Sequence, residues 1–137
     1  MGLILDSSVV IAAERRGETV AKLLRSVSLV AGDQEAVLSA IGLTELVHAV
    51  YRTQSLVLRE KRQLFIRDIL ADVEVVPYTR HTAMLAGRLD GEQRSLGVTI
   101  PSVDLMIGAT ALEHDYSMAT VNVRHFQMIP GLHIVQL

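Results

Sequence analysis

Short, almost uninterrupted apolar runs alternate with helix-length segments along this chain, and that alternation leaves few folds open. Residues 3–6, 36–41, 73–78, 118–122 and 132–137 have strand length and little polar alternation. Between them lie segments with helical periodicity at 7–14, 18–29, 42–52, 56–72 and 79–96, and from Pro101 onward. Gly97 sits where a helix C-terminus favours glycine, and Pro101 at or near a first helical turn. In 56–72 the apolar face is Leu58, Phe65, Ile66, Ile69 and Leu70, with Arg59, Glu60, Lys61 and Arg62 outside. Strands that are apolar on both sides and separated by helices belong to a parallel sheet covered on both faces. The expectation is an α/β fold: a single three-layer domain over residues 1–137, with a mostly parallel central sheet of about five strands flanked by helices.

Composition narrows the class. At 137 residues, half of them hydrophobic, the chain can bury about two-thirds of its unfolded surface in one core. A net charge of −2 argues against a broad basic face that binds nucleic acid by bulk electrostatics, though not against a local basic groove. The absence of cysteine excludes disulfides, thiolate zinc sites and cysteine nucleophiles. The start of the chain lacks the basic region and cleavage pattern of a signal peptide. No apolar run reaches the roughly 18 residues that suggest a membrane span. The five histidines, at 48, 81, 114, 125 and 133, show no H-x-x-x-H pairing. A soluble, cytoplasmic domain with no membrane association is expected.

Against this apolar background three carboxylates stand alone. Asp6 is the only formally charged residue before Ala13, Glu45 the only one in 36–51, and Asp104 the only one in 100–112. An isolated buried carboxylate is costly unless compensated. Asp6 ends the first strand and Glu45 falls in the first turn after the second, so both belong at the carboxyl edge of the sheet, where ligands bind in open parallel sheets. Asn122, at the end of run 118–122, falls on the same edge, and Asp104 joins it if its helix starts on that side. Three converging acids repel one another and raise one another's pKa, a conflict that a divalent cation removes. Oxygen ligands without cysteine or paired histidine select magnesium or manganese over zinc. Such a site suits attack of activated water on a phosphodiester.

Each residue has a plainer reading when taken singly. Asp6 caps the following helix, and Glu45 and Asp104 sit well with a helix dipole. Asn122 is a turn residue, and His125 and Phe126 are packing. Arg15, Arg16, Arg59, Lys61, Arg62 and Arg67 are solvated helix faces. The joint pattern of three solitary acids, at least two on the ligand edge, favours the metal site.

LILDSSVVIA at 3–12, SAIGLTEL at 39–46, IPSVDLMIGATALEHDYSMAT at 100–120 and TVNVRHF at 120–126 together resemble a PIN-domain ribonuclease, above all the VapC-type toxins of toxin–antitoxin pairs. The resemblance covers the whole chain, and the third segment is its most specific part. It implies a PIN-like domain in which Asp6, Glu45 and Asp104 are catalytic and hold the metal. Asn122 is a fourth catalytic position, where many members carry Asp, and this departure implies weaker holding of a second metal. It further implies Ser7 or Thr120 supporting the site by hydrogen bonds, Mg2+ (or Mn2+) as cofactor, RNA as substrate, a cognate antitoxin as partner, and a homodimer. The implied function is a magnesium-dependent endoribonuclease toxin that hydrolyses RNA with activated water. Arg15, Arg16, Arg124 and the basic face at 59–67 are candidates for phosphate contacts.

Other classes fit less well. A phosphoacceptor signalling module needs paired acids after the first strand and a late lysine, and the chain has Asp6-Ser7 and no lysine in 118–124. An aspartyl-phosphate phosphatase needs a second Asp two residues on, where Ser8 stands. A catalytically idle PIN-like domain, acting only by binding protein or RNA, and a metal-dependent DNA nuclease both stay compatible with the sequence.

Overall fold

The computed structural model describes residues 2–137. Five strands, β1 (Gly2–Leu5), β2 (Glu35–Ser39), β3 (Glu74–Val76), β4 (Ser117–Thr120) and β5 (Ile134–Gln136), form one sheet in the order β3-β2-β1-β4-β5. All four strand pairings are parallel. Seven helices connect them: α1 (Ser7–Arg15), α2 (Val20–Ala31), α3 (Ala40–Arg52), α4 (Leu56–Asp72), α5 (Arg80–Ser95), α6 (Ser102–Glu113) and the short α7 (Val123–Phe126).

Successive strand side chains face opposite ways, so the sheet sorts its own core into two layers. Leu3, Leu5, Leu38 and Ala119 pack with α1, α2 and α4 on one face. Ile4, Val37 and Met118 pack with α5, α6 and the chain around Phe126 and Ile129 on the other. Both faces of β1 are fully buried, which is why its sequence shows no polar alternation. The α/β/α expectation is met, and the sheet is wholly rather than mostly parallel.

Boundaries differ from the sequence reading where a side chain competes for the backbone. The run expected as a strand to Ile41 stops at Ser39, whose hydroxyl accepts the Gly42 N–H at 2.9 Å and so opens α3. Glu45 therefore lies in the second turn of α3 rather than the first. The fourth strand ends at Thr120, not Asn122, because the Thr120 hydroxyl accepts the Asn122 N–H at 2.8 Å and turns the chain. Asn122 is instead the N-terminal flank of α7, a helix that the periodicity did not reveal.

In α4, Ile69 is buried and Phe65 and Ile66 pack on the core, whereas Leu58 and Leu70 are exposed. Arg59 lies over the Tyr51 ring and donates to the Thr53 carbonyl, and Arg62 faces the buried Glu14. Those two arginines are thus turned in from the outer face expected for them.

Two glycines matter to the site's frame. Gly97 has φ +79°, a left-handed conformation that ends α5. Gly108, in the middle of α6, lies so close to Ile129 that a Cβ there would come 2.3 Å from Cδ1. This small residue lets the segment carrying α7 seat directly on α6.

Candidate active site

The strand order runs β1-β2-β3 to one side of β1 and β4-β5 to the other, so the crevice between the ends of β1 and β4 is the topological switch point. Asp6 stands there. Its backbone N–H continues the ladder by donating to the Ala119 carbonyl at 2.9 Å, which fixes the carboxylate at the crevice. Asp6 flanks α1 but makes no side-chain cap hydrogen bond. The plain capping reading therefore fails for Asp6. Its Oδ2 instead accepts from the Ser8 hydroxyl at 2.6 Å and from the buried Thr120 hydroxyl at 2.9 Å.

Glu45 reaches the same crevice from α3, with Oε1 accepting the Ser7 hydroxyl at 2.8 Å. Both hydroxyl supports expected from Ser7 and Thr120 are present. Asp104 projects from the first turn of α6, a helix buried on nearly every side. Its Oδ2 lies 2.7 Å from His125 Nδ1. The amide end of Asn122 lies 2.8 Å from the same imidazole nitrogen.

The electrostatics link the three acids. Burial pushes the Asp6 carboxyl above its ordinary range, the Ser8 and Thr120 hydroxyls pull it back, and the Asp104 charge raises it further. Burial likewise raises Glu45; the Ser7 hydroxyl opposes this, and the charges of Asp6 and Asp104 add to it. Among the described residues no lysine or arginine forms an ion pair with any of the three.

The donor set fits a hard divalent cation: three carboxylates, mutually repelling, with no fixed cation between them. Each has one oxygen held by a neighbouring side chain, which orients the other. Among the described residues no three His, Cys, Asp or Glu side chains are grouped closely enough to form a metal-holding cluster. Magnesium does not require one, because it keeps several waters and takes one or two carboxylates directly.

Sequence reasoning brought Asp6, Glu45 and Asn122 to one edge and made Asp104 depend on where its helix starts; the structure places all four there. It missed Ser8 and His125. The signal for Ser8 was its position two residues after Asp6, and for His125 its spacing of three from Asn122, one helical turn on the same face. Of the basic candidates, exposed Arg124 on α7 is nearest in the chain to these residues. Arg15 and Arg16 lie at the far end of α1, roughly 13 Å of helix rise from Asp6, and Arg16 pairs with Glu18 at 2.7 Å.

Comparison with known proteins gives the same picture. The family model for the PIN domain matches residues 3–130. Ribonuclease VapC1 of Rickettsia felis is 33% identical over 135 residues, covering 98% of this chain and 96% of that protein. Ribonuclease VapC19 of Mycobacterium tuberculosis is 30% identical over 129 residues, covering 94% and 95%. Among solved structures, VapBC2 from Rickettsia felis bound to a promoter DNA fragment superposes with a TM-score of 0.86 at 22% identity, covering 100% of this chain and 99% of that one. DNA-bound VapBC from Salmonella typhimurium gives 0.83 at 21% identity, covering 99% and 98%. These structures share the fold, and the sequence relatives share the whole length. No helix among the described residues is long and apolar enough to cross a membrane. The family match across the domain, with acids gathered at its switch point, establishes that this chain belongs to the PIN domain family and sits among its VapC ribonucleases.

Proposed function

We propose that this protein is a magnesium-dependent endoribonuclease, with manganese able to substitute, acting as the toxin of a toxin–antitoxin pair in the cytoplasm. The observation that carries the proposal is the group of Asp6, Glu45 and Asp104 at the switch point, close enough to perturb one another and without a lysine or arginine partner among the described residues. Asp6, Asp104 and Glu45 would hold the ion. When bound, it supplies charge stabilisation for the phosphodiester and acidifies water.

The chain's own residues supply the rest. Ser8 and Thr120 hold Asp6, and Ser7 holds Glu45, so both carboxylates meet the substrate already oriented. Glu45, raised by burial, is the group suited to accept the proton of the attacking water. Attack of water on phosphorus with departure of the 3′ oxygen leaves a 5′-phosphate and a 3′-hydroxyl. Arg124, exposed on α7, would meet an RNA phosphate. A VapBC toxin–antitoxin system from Mycobacterium tuberculosis and a toxin–antitoxin complex from Klebsiella pneumoniae share the fold, which supports an antitoxin partner here. A homodimer is the assembly we assign to the chain on the same family grounds.

The test is cleavage of a panel of structured RNAs and DNAs by purified protein, with end-group analysis. Cleavage with magnesium, lost with chelator and in Asp6→Asn and Asp104→Asn, is the expected result. Cleavage that survives chelation would overturn the metal reading. Folded protein that neither binds magnesium nor cleaves would favour an idle PIN-like binding domain, and DNA cut in preference to RNA would reassign the substrate.

A further inference from the structure

Asp104 and Asn122 come from different elements, α6 and the start of α7, and one side chain joins them. His125 Nδ1 stands 2.7 Å from Asp104 Oδ2 and 2.8 Å from the Asn122 amide end. An ionised carboxylate can only accept, so Nδ1 carries the proton and donates it to Asp104. Asn122 then presents its amide oxygen to the same N–H, which a half-turn of the amide allows. Among the described residues no side chain or backbone group bonds His125 Nε2. Asp104 has a side chain only 15% exposed and His125 one 39% exposed, so the contact is largely shielded from water on the carboxylate's side.

The two elements are held at this distance by packing. Phe126, next to His125, is fully buried, and Ile129 seats against Gly108 four residues along α6 from Asp104. The imidazole therefore has a fixed base, and Asp104 has one fixed oxygen.

We propose that His125 is a positioning residue: its Nδ1–H pins Asp104 Oδ2 and Asn122 in place, leaving Asp104 a single oxygen, Oδ1, directed for a divalent cation. The proposal deepens the metal-site reading above and rests on it. It gives this chain, which lacks a fourth acid at position 122, a hydrogen-bonded link in that place: Asn122 and His125 order Asp104. Outer partners of this kind change metal affinity by about 10- to 100-fold when removed.

The experiment is Mn2+ binding to RNA-free protein, followed by the electron paramagnetic resonance of free Mn2+ and by calorimetry. It uses the full chain and His125→Ala, His125→Asn and His125→Gln. Asparagine places its amide N–H where Nδ1–H stood, whereas glutamine mimics Nε2–H. The expected pattern is Mn2+ binding weakened about 10- to 100-fold in the alanine and glutamine variants and within about threefold of wild type in the asparagine variant. Thermal unfolding in chelator monitors folding; the asparagine–glutamine contrast decides the matter even if the alanine variant unfolds. Wild-type affinity in His125→Ala, or rescue by glutamine and not asparagine, would overturn the proposal while leaving the metal site intact. Absence of Mn2+ binding by the wild-type protein would overturn the metal site itself, and this inference with it.

Discussion

Thr120 is the buried hinge of the site, and Thr120→Val tests whether its hydroxyl or merely its shape is needed. The side chain is fully buried at the end of β4. Its hydroxyl donates to Asp6 Oδ2 at 2.9 Å and accepts the Asn122 N–H at 2.8 Å. Valine keeps the volume and deletes both bonds. The lost bond to a charged acceptor is worth about 1.5–3 kcal/mol, and an orphaned N–H costs about 1–3 kcal/mol when buried. Asn122 is only half-buried, so water recovers part of the second cost, and Ser8 still donates to Asp6 at 2.6 Å. The net loss should be about 2–3 kcal/mol in metal-free protein. Thr120→Ser keeps the hydroxyl and removes one buried methyl, for about 1 kcal/mol.

Urea unfolding in chelator at neutral pH measures both variants. The expected order is wild type, then serine, then valine. The valine penalty should shrink as pH falls, because the hydroxyl favours the charged form of Asp6 and that form disappears on protonation. A valine variant within about 0.5 kcal/mol of wild type, or less destabilised than serine, would refute the bridging role of this hydroxyl.

Asp6 and Glu45 both have raised folded-state pKa values, so each favours the fold in its protonated form. Metal-free stability from these groups is present below their unfolded values, near 4, and lost as pH rises through the raised folded values. In chelator, Asp6→Asn should therefore unfold at higher temperature than wild type at pH 7, with the advantage vanishing by about pH 4. Saturating magnesium should reverse the order at pH 7, a comparison that scanning calorimetry makes directly. Gly108→Ala should destabilise by about 1–3 kcal/mol, since its Cβ would lie 2.3 Å from the Cδ1 of buried Ile129. Adding Ile129→Val, which deletes Cδ1, should recover much of that loss, and a double-mutant cycle in urea would show the coupling.

How much of this was legible in the sequence depends on how each residue announces itself. β1 was readable because it is buried on both faces, and α6 because its apolar residues surround Asp104. Lone charges in such segments are conspicuous, so Asp6, Glu45 and Asp104 could be picked out. The limits of β2 and β4 were not legible. Ser39 and Thr120 look like ordinary members of apolar runs, and only their hydroxyl bonds to Gly42 and Asn122 reveal them as stops. Ser8 and His125 were passed over for a related reason: hydroxyls and imidazoles are common on surfaces, and their partners lie in distant parts of the chain. Ser8 shares Asp6 with Thr120, 112 residues away, and His125 reaches Asp104 from a different element.

The site therefore has two levels with different sequence signatures, and this follows from what each has to do. On the proposed reading, carboxylates that share a metal must be free of lysine and arginine partners, which would compete for them, even though the apolar wall around them raises their pKa while no cation is bound. That requirement writes itself into the local sequence as isolation. The groups that orient those carboxylates have a different task, to donate a hydrogen bond to one oxygen: Ser7, Ser8 and Thr120 do so with hydroxyls, and His125 with a ring N–H. Such donors are inconspicuous in any local window. They become identifiable only once the parallel sheet has brought the ends of β1 and β4 together and Gly108 has let the α7 segment close on α6. The acids could thus be located from pattern alone, whereas their supports required the fold.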